Sequence, residues 1–162
     1  MSEPKNFYYE TEIEWTKEKE GQIKGPGLPA VSVGAPPEFK GREGQWTPEH
    51  LFVASINTCF MLTLLAIAEN SKLPLVSFSS SARGKLEKIS GAGYQITEVI
   101  LKPTVVIASA GDLGRVPKML DKAKETCFIS NSVKSTVKLE PQVHHRQTQG
   151  SAGGSTTDPK AK

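Results

Sequence analysis

The stretch TPEHLFVASINTCFMLTLLAIAEN, Thr47 to Asn70, decides the fold. Its start reads as a helix N-terminus. Thr47 suits the cap, Pro48 suits a first helical position where no N–H is needed, and Glu49 sets negative charge against the helix dipole. From Leu51 to Ala68 there is no Asp, Glu, Lys or Arg. The pattern predicts one helix running to Glu69 or Asn70, where Leu73-Pro74 forces an extended backbone. A run this long approaches a membrane span. However, Ser55, Asn57, Thr58 and Thr63 interrupt it and neither flank is strongly basic, so no membrane is expected. A helix apolar all round is instead a central helix buried by other elements. Cys59 sits in the middle of it, far from any acid or base in sequence.

Working outward, FYYETEIEWT reads as a first strand and KEKEG as a turn. IKG and AVSVG read as short strands, a hairpin around GPGLP, and residues 34–45 as a loop rich in Pro, Gly and charge. After the helix, LVSFSSSARGKLEKI alternates as a strand, GAG turns, and YQITEVILKPTVVIA returns as its antiparallel partner. Pro103 within that second run predicts an edge or a bulge. An amphipathic helix follows from Asp112 to Thr126, with Val116, Met119, Leu120 and Ala123 on one face. SVKSTVKLEPQV reads as a final strand. The expected fold class is α+β, antiparallel sheets around a long buried central helix. One sheet covers one side of that helix, so the other side needs a second sheet, helix or subunit; a dimer is the simplest answer. Residues 1–145 form a single domain on this reading, and 146–162, rich in Gly, Ser and Thr, a disordered tail.

Composition narrows the function. Twenty Lys and Arg against 17 Asp and Glu give a net charge of +3. The charges are interspersed, without a basic cluster or aromatic-basic interleaving, so nucleic-acid binding is not expected. The opening MSEPKNFYYETE lacks a basic start and an apolar core and does not read as a signal peptide. A cytoplasmic location is expected, where cysteines are more often catalytic or redox-active than structural disulfides. Two cysteines and three scattered His do not make a zinc ligand set.

Taken alone, Cys59 is packing or chemistry. A reactive thiol needs a cation, a helix N-terminus or an acid-base partner to lower its pKa. Cys59 lies about three turns into its helix, where the dipole reaches weakly. Cys127 ends the second helix, in KAKETCFISNSV, and is either a small apolar residue there or a thiol that meets Cys59 in space.

PEHLFVASINTCF resembles the signature of the OsmC/Ohr family of organic hydroperoxide reductases, a P-E-x-L followed by an apolar stretch and A/T-C-F. KAKETCFISNSVKSTVKLE resembles that family's second cysteine segment. The two motifs occur in order with the expected elements between them, and the resemblance covers Tyr9 to Pro141. It implies an OsmC-like intertwined homodimer in which two sheets wrap long central helices. It implies a thiol peroxidase with Cys59 as peroxidatic and Cys127 as resolving thiol, Glu49 in the active-site set, and an Arg from upstream. No cofactor is implied beyond an external dithiol or lipoyl-type reductant, and the substrate is an organic hydroperoxide.

Two departures stand out. No Arg precedes Arg42, which lies three residues beyond Phe39 and is the candidate to substitute, with Lys24 a further cation less suited to bidentate pairing. Phe128 stands where the motif has Pro. Helix geometry adds a constraint. Glu49 and Cys59 are ten positions apart, about 15 Å along one axis and about 80° around it. They do not share a site on one straight helix, which predicts a site at the subunit interface. The alternatives are an OsmC-fold small-molecule binder or redox sensor with little peroxidase activity, and a structural dimer with packing cysteines.

Overall fold

The computed structural model describes residues 5–146. The tail expected from 146 onward therefore lies, apart from Arg146, outside the described residues. Three strands come first: β1 (Glu12–Lys17), β2 (Glu20–Gly25) and β3 (Leu28–Gly34), in an antiparallel sheet of that order. The first strand is shorter than its sequence pattern, and residues 5–11 have no regular structure. The loop to the helix holds one 3-10 turn, Pro37–Phe39.

Helix α1 spans Pro48–Asn70. Thr47 caps it as expected, its hydroxyl accepting from the His50 amide at 3.3 Å. Strands β4 (Leu75–Ile89) and β5 (Gly93–Ile107) form a long antiparallel hairpin. Helix α2 covers Val116–Thr126. The residues before it, Ala110–Arg115, are 3-10 rather than α, so the α-helix starts later than Asp112. The four predicted face residues Val116, Met119, Leu120 and Ala123 are all buried.

The last strand is two: β6 (Thr136–Leu139) and β7 (Gln142–His145), split at Glu140-Pro141. Both run parallel to β5, while antiparallel pairing holds in the other ladders. This places β5 in the centre of its sheet, so Pro103 is not on an edge strand. It falls between the register pairs Leu101–Leu139 and Thr104–Gln142, at the break between β6 and β7. The Leu101 and Ile107 carbonyls accept from Glu140 and Arg146 on that side. By alternation Pro103 directs its missing donor at the same gap, where no ladder bond is lost.

One core unites the second sheet and both helices. Ile56, Phe60, Leu64 and Ala68 recur every fourth residue along α1 and meet Val99, Leu101, Val105 and Ile107 of β5 and the buried face of α2. Gly84 lets β4 approach α1, since a Cβ there would stand 2.5 Å from a Val53 methyl. Asn57 and Ser80 exchange hydrogen bonds across the same contact, at 3.2 and 2.7 Å. The other side of α1 is not covered among the described residues: Leu62 remains 58% exposed and Leu65 40%. By length and composition α1 also passes as a membrane span.

Candidate active site

Packing of α1 on α2 brings the two cysteines together. Cys59 is half-buried midway along α1, and Cys127, fully buried, is the residue at which the chain leaves α2. Both are free thiols. They lie within hydrogen-bonding reach, the Cys127 side chain donating toward Cys59. The sequence left that meeting open; the fold provides it.

The two sulfurs have opposite acidities. Burial on its own would raise the Cys59 thiol. The backbone amide of Ile129, then the Cys127 thiol, Thr63 and the Phe128 amide overturn this and hold it below the ordinary thiol value. Thr63 contributes least securely, because its hydroxyl also donates to the Cys59 carbonyl at 2.8 Å. Cys127 is pushed the other way. Burial raises it, the adjacent Cys59 sulfur adds to the rise, and the Ser130 hydroxyl and amide only partly oppose them. The two thiols are thus shifted in opposite directions, Cys59 toward easier ionisation and Cys127 away from it.

The remaining sequence candidates are elsewhere in the chain. Arg42 pairs with Glu20 at 3.2 Å, with its own side chain 65% exposed. Lys24 pairs with Glu14 at 2.5 Å. Neither acts on Cys59. Glu49 is also absent from the groups around the thiols, as helix geometry required. It instead lines two cavities. One, of about 430 Å³, is shared with His50, Asn57 and Arg83. The other, of about 610 Å³, joins it to Ile13, Trp15, Phe39 and Lys19. Glu49 Oε2 is buried and has no hydrogen-bond partner among the described residues. Lys19, whose ammonium donates to the Phe39 carbonyl at 2.6 Å, is a cation that sequence reasoning passed over. It is one charge within KEKEG, and nothing in the local pattern distinguishes it. The Phe128 and Ile129 amides were equally invisible, except that Phe128 departs from the motif's Pro.

Two free thiols shifted in opposite directions, paired inside an α+β core, make a candidate dithiol site. The chain belongs to the OsmC-like protein family, whose model matches residues 41–142. It is 25% identical over 138 residues to the uncharacterised protein YmaD of Bacillus subtilis, covering 83% of this chain and 91% of that protein. It is 28% identical over 142 residues to an organic hydroperoxide resistance protein of Xanthomonas axonopodis pv. citri, covering 85% and 95%. Among solved structures, an OsmC-like protein of unknown function from Vibrio cholerae aligns with a TM-score of 0.78 at 27% identity, covering 84% of this chain and 99% of that one. An organic hydroperoxide resistance protein from Elizabethkingia anophelis shares the fold at 0.69 and 20% identity, covering 88% and 100%. Family membership is consistent with a role in hydroperoxide resistance.

Proposed function

We propose that the protein is a thiol peroxidase that reduces organic hydroperoxides to alcohols. The observation that carries this reading is the pairing of a low-pKa Cys59 with a high-pKa Cys127. The Cys59 thiolate attacks the distal oxygen of ROOH. The O–O bond breaks, the alkoxide takes up a proton and leaves as ROH, and Cys59 becomes a sulfenic acid. The Cys127 sulfur then attacks the Cys59 sulfur, forming the disulfide and releasing water. An external dithiol of lipoyl type returns both thiols by exchange and is itself oxidised to a disulfide. No bound cofactor is required.

The working unit on this reading is a cytoplasmic homodimer. The unpartnered Glu49 oxygen, the uncovered Leu62 and Leu65, and the geometric separation of Glu49 from Cys59 all favour a site completed by a second subunit. Glu49 and Lys19 then act across the interface, Glu49 orienting a cation against the incoming peroxide. The engagement of Arg42 by Glu20 favours a second reading, a family member with weak peroxidase activity that binds small molecules or senses redox state.

Consumption of cumene hydroperoxide with a dithiol reductant separates the two. Cys59→Ser is expected to abolish turnover. Cys127→Ser is expected to allow a single reduction and then accumulate overoxidised Cys59. Equal consumption by all three proteins would end the peroxidase reading.

A further inference from the structure

We propose that the Ser130 hydroxyl serves the second half of the cycle, as the donor that meets the charge forming on the Cys127 sulfur when that thiol attacks oxidised Cys59. This rests on Cys127 being the resolving thiol, as proposed above, and concerns what lets a buried thiol attack.

The turn after α2 carries the argument. Cys127 leaves the helix extended, at φ −68° and ψ 115°, and Ile129 is helical again at φ −69° and ψ −42°. The Asn131 amide donates to the Cys127 carbonyl at 3.0 Å and closes a single turn over residues 127–131. An extended residue whose carbonyl accepts the first bond of a turn has the backbone of a cap, and the side chain three residues on stands beside it and reaches back. That side chain is Ser130. Further bonds fix the turn: the Asn131 side chain donates to the Glu125 carbonyl and the Ser132 hydroxyl to the Phe128 carbonyl, both at 2.8 Å. Ser130 differs from these two neighbours. Its Oγ is buried and makes no hydrogen bond among the described residues. Sealed inside the chain, it is closed to a second subunit as it is to water. A buried hydroxyl without a partner is a cost to the fold, and one held in a fixed turn has a reason to be there. Cys127 supplies the reason. It is fully buried at the start of the same turn, and the Ser130 hydroxyl and amide both favour its thiolate where burial opposes it.

In the attack the S–S bond forms and the S–O bond of the Cys59 sulfenic acid breaks. The released hydroxide takes the Cys127 proton and leaves as water; the sulfenic sulfur is reduced and the Cys127 sulfur oxidised. As the proton departs, negative charge builds on a desolvated sulfur. The Ser130 O–H is then a donor whose partner exists only during the reaction, and a bond made only there speeds the step.

Ser130→Ala tests this in the full chain. Removing an unpartnered hydroxyl should leave the urea midpoint of the reduced protein at or above the parent value. A variant that unfolds more readily, or does not fold, overturns the inference, because the hydroxyl would then be holding the turn. Ellman's reagent reads the two thiols in order: the first thionitrobenzoate is released as Cys59 is loaded, the second as Cys127 attacks the Cys59 sulfur. Ser130→Ala is expected to keep the first release and slow the second about ten-fold, the scale of one hydrogen bond to a charged group. Ser130→Thr keeps the hydroxyl and is expected to follow the parent. With hydroperoxide, the concentration that overoxidises half of Cys59, read by mass spectrometry, should fall by the same factor in Ser130→Ala. A second release equal to the parent's, both releases slowed together, or Ser130→Thr as slow as Ser130→Ala would each overturn the inference. A parent that consumes no hydroperoxide while its second release depends on Ser130 removes the peroxidase reading and leaves this one. Hydroperoxide consumption with a second release indifferent to Ser130 does the reverse.

Discussion

The first sheet and the second differ in what covers them. Strands β4 to β7 close against α1 and α2 around Phe60, Leu64 and Leu101, all fully buried. Strand β1 is exposed at every position, and Trp15 and Ile13 are 74% and 68% open. Three strands without a covered face have little independent stability in water. The second region is a finished core, whereas the first leaves its apolar side chains open. Helix α1 belongs to both, with Ile56, Phe60, Leu64 and Ala68 on the finished side and Leu62 and Leu65 on the open one.

The largest effect should come from the finished side. Phe60→Ala leaves a cavity in contact with both helices and the sheet, and is expected to cost about 3–5 kcal/mol in urea unfolding. A loss below about 1 kcal/mol would mean that the core is not closed as described. On the open side, Leu65→Glu should behave differently. Its side chain faces outward, so the helix and the second sheet should keep their circular dichroism. Sedimentation velocity should move from a two-chain to a one-chain species, and the melting temperature should lose its dependence on concentration. A parent that sediments as a single chain would break the comparison, because the first sheet would then stand uncovered.

The same division explains what the sequence made legible. Where burial is settled within one chain, much was legible: the Thr47 cap, the length of α1, the long hairpin and the inward face of α2, though not the later start of α2 or the division of the last strand. Pro103 misled because the edge rule assumes a continuous neighbour. Here the neighbour is interrupted at Glu140-Pro141, and a proline in the central strand costs no ladder bond. The thiol pair was half legible. The motifs named both cysteines, but their opposite shifts come from burial and from neighbours that only folding brings near, which no sequence pattern records. Glu49 was named by its motif, and its separation from Cys59 followed from helix geometry alone. Lys19 was lost because only folding brings the KEKEG turn to the N-terminus of α1.

The smallest expected effect tests the site across that division. If the surroundings of Cys59 within the finished unit set its acidity, cations of the first sheet affect the peroxide and not the thiol. Arg42→Gln removes an exposed partner of Glu20 and should leave both Cys59 alkylation and kcat/KM for cumene hydroperoxide near the parent values. Lys19→Gln, in the cavity with Glu49, should leave alkylation equally unchanged but lower kcat/KM by about ten-fold, because a cation that positions substrate acts only when substrate is present. The split between the two readouts is the decisive quantity. If Arg42→Gln lowered both together, the charge on the first sheet would be acting on the thiol itself, and activation would belong to that sheet rather than to the finished unit.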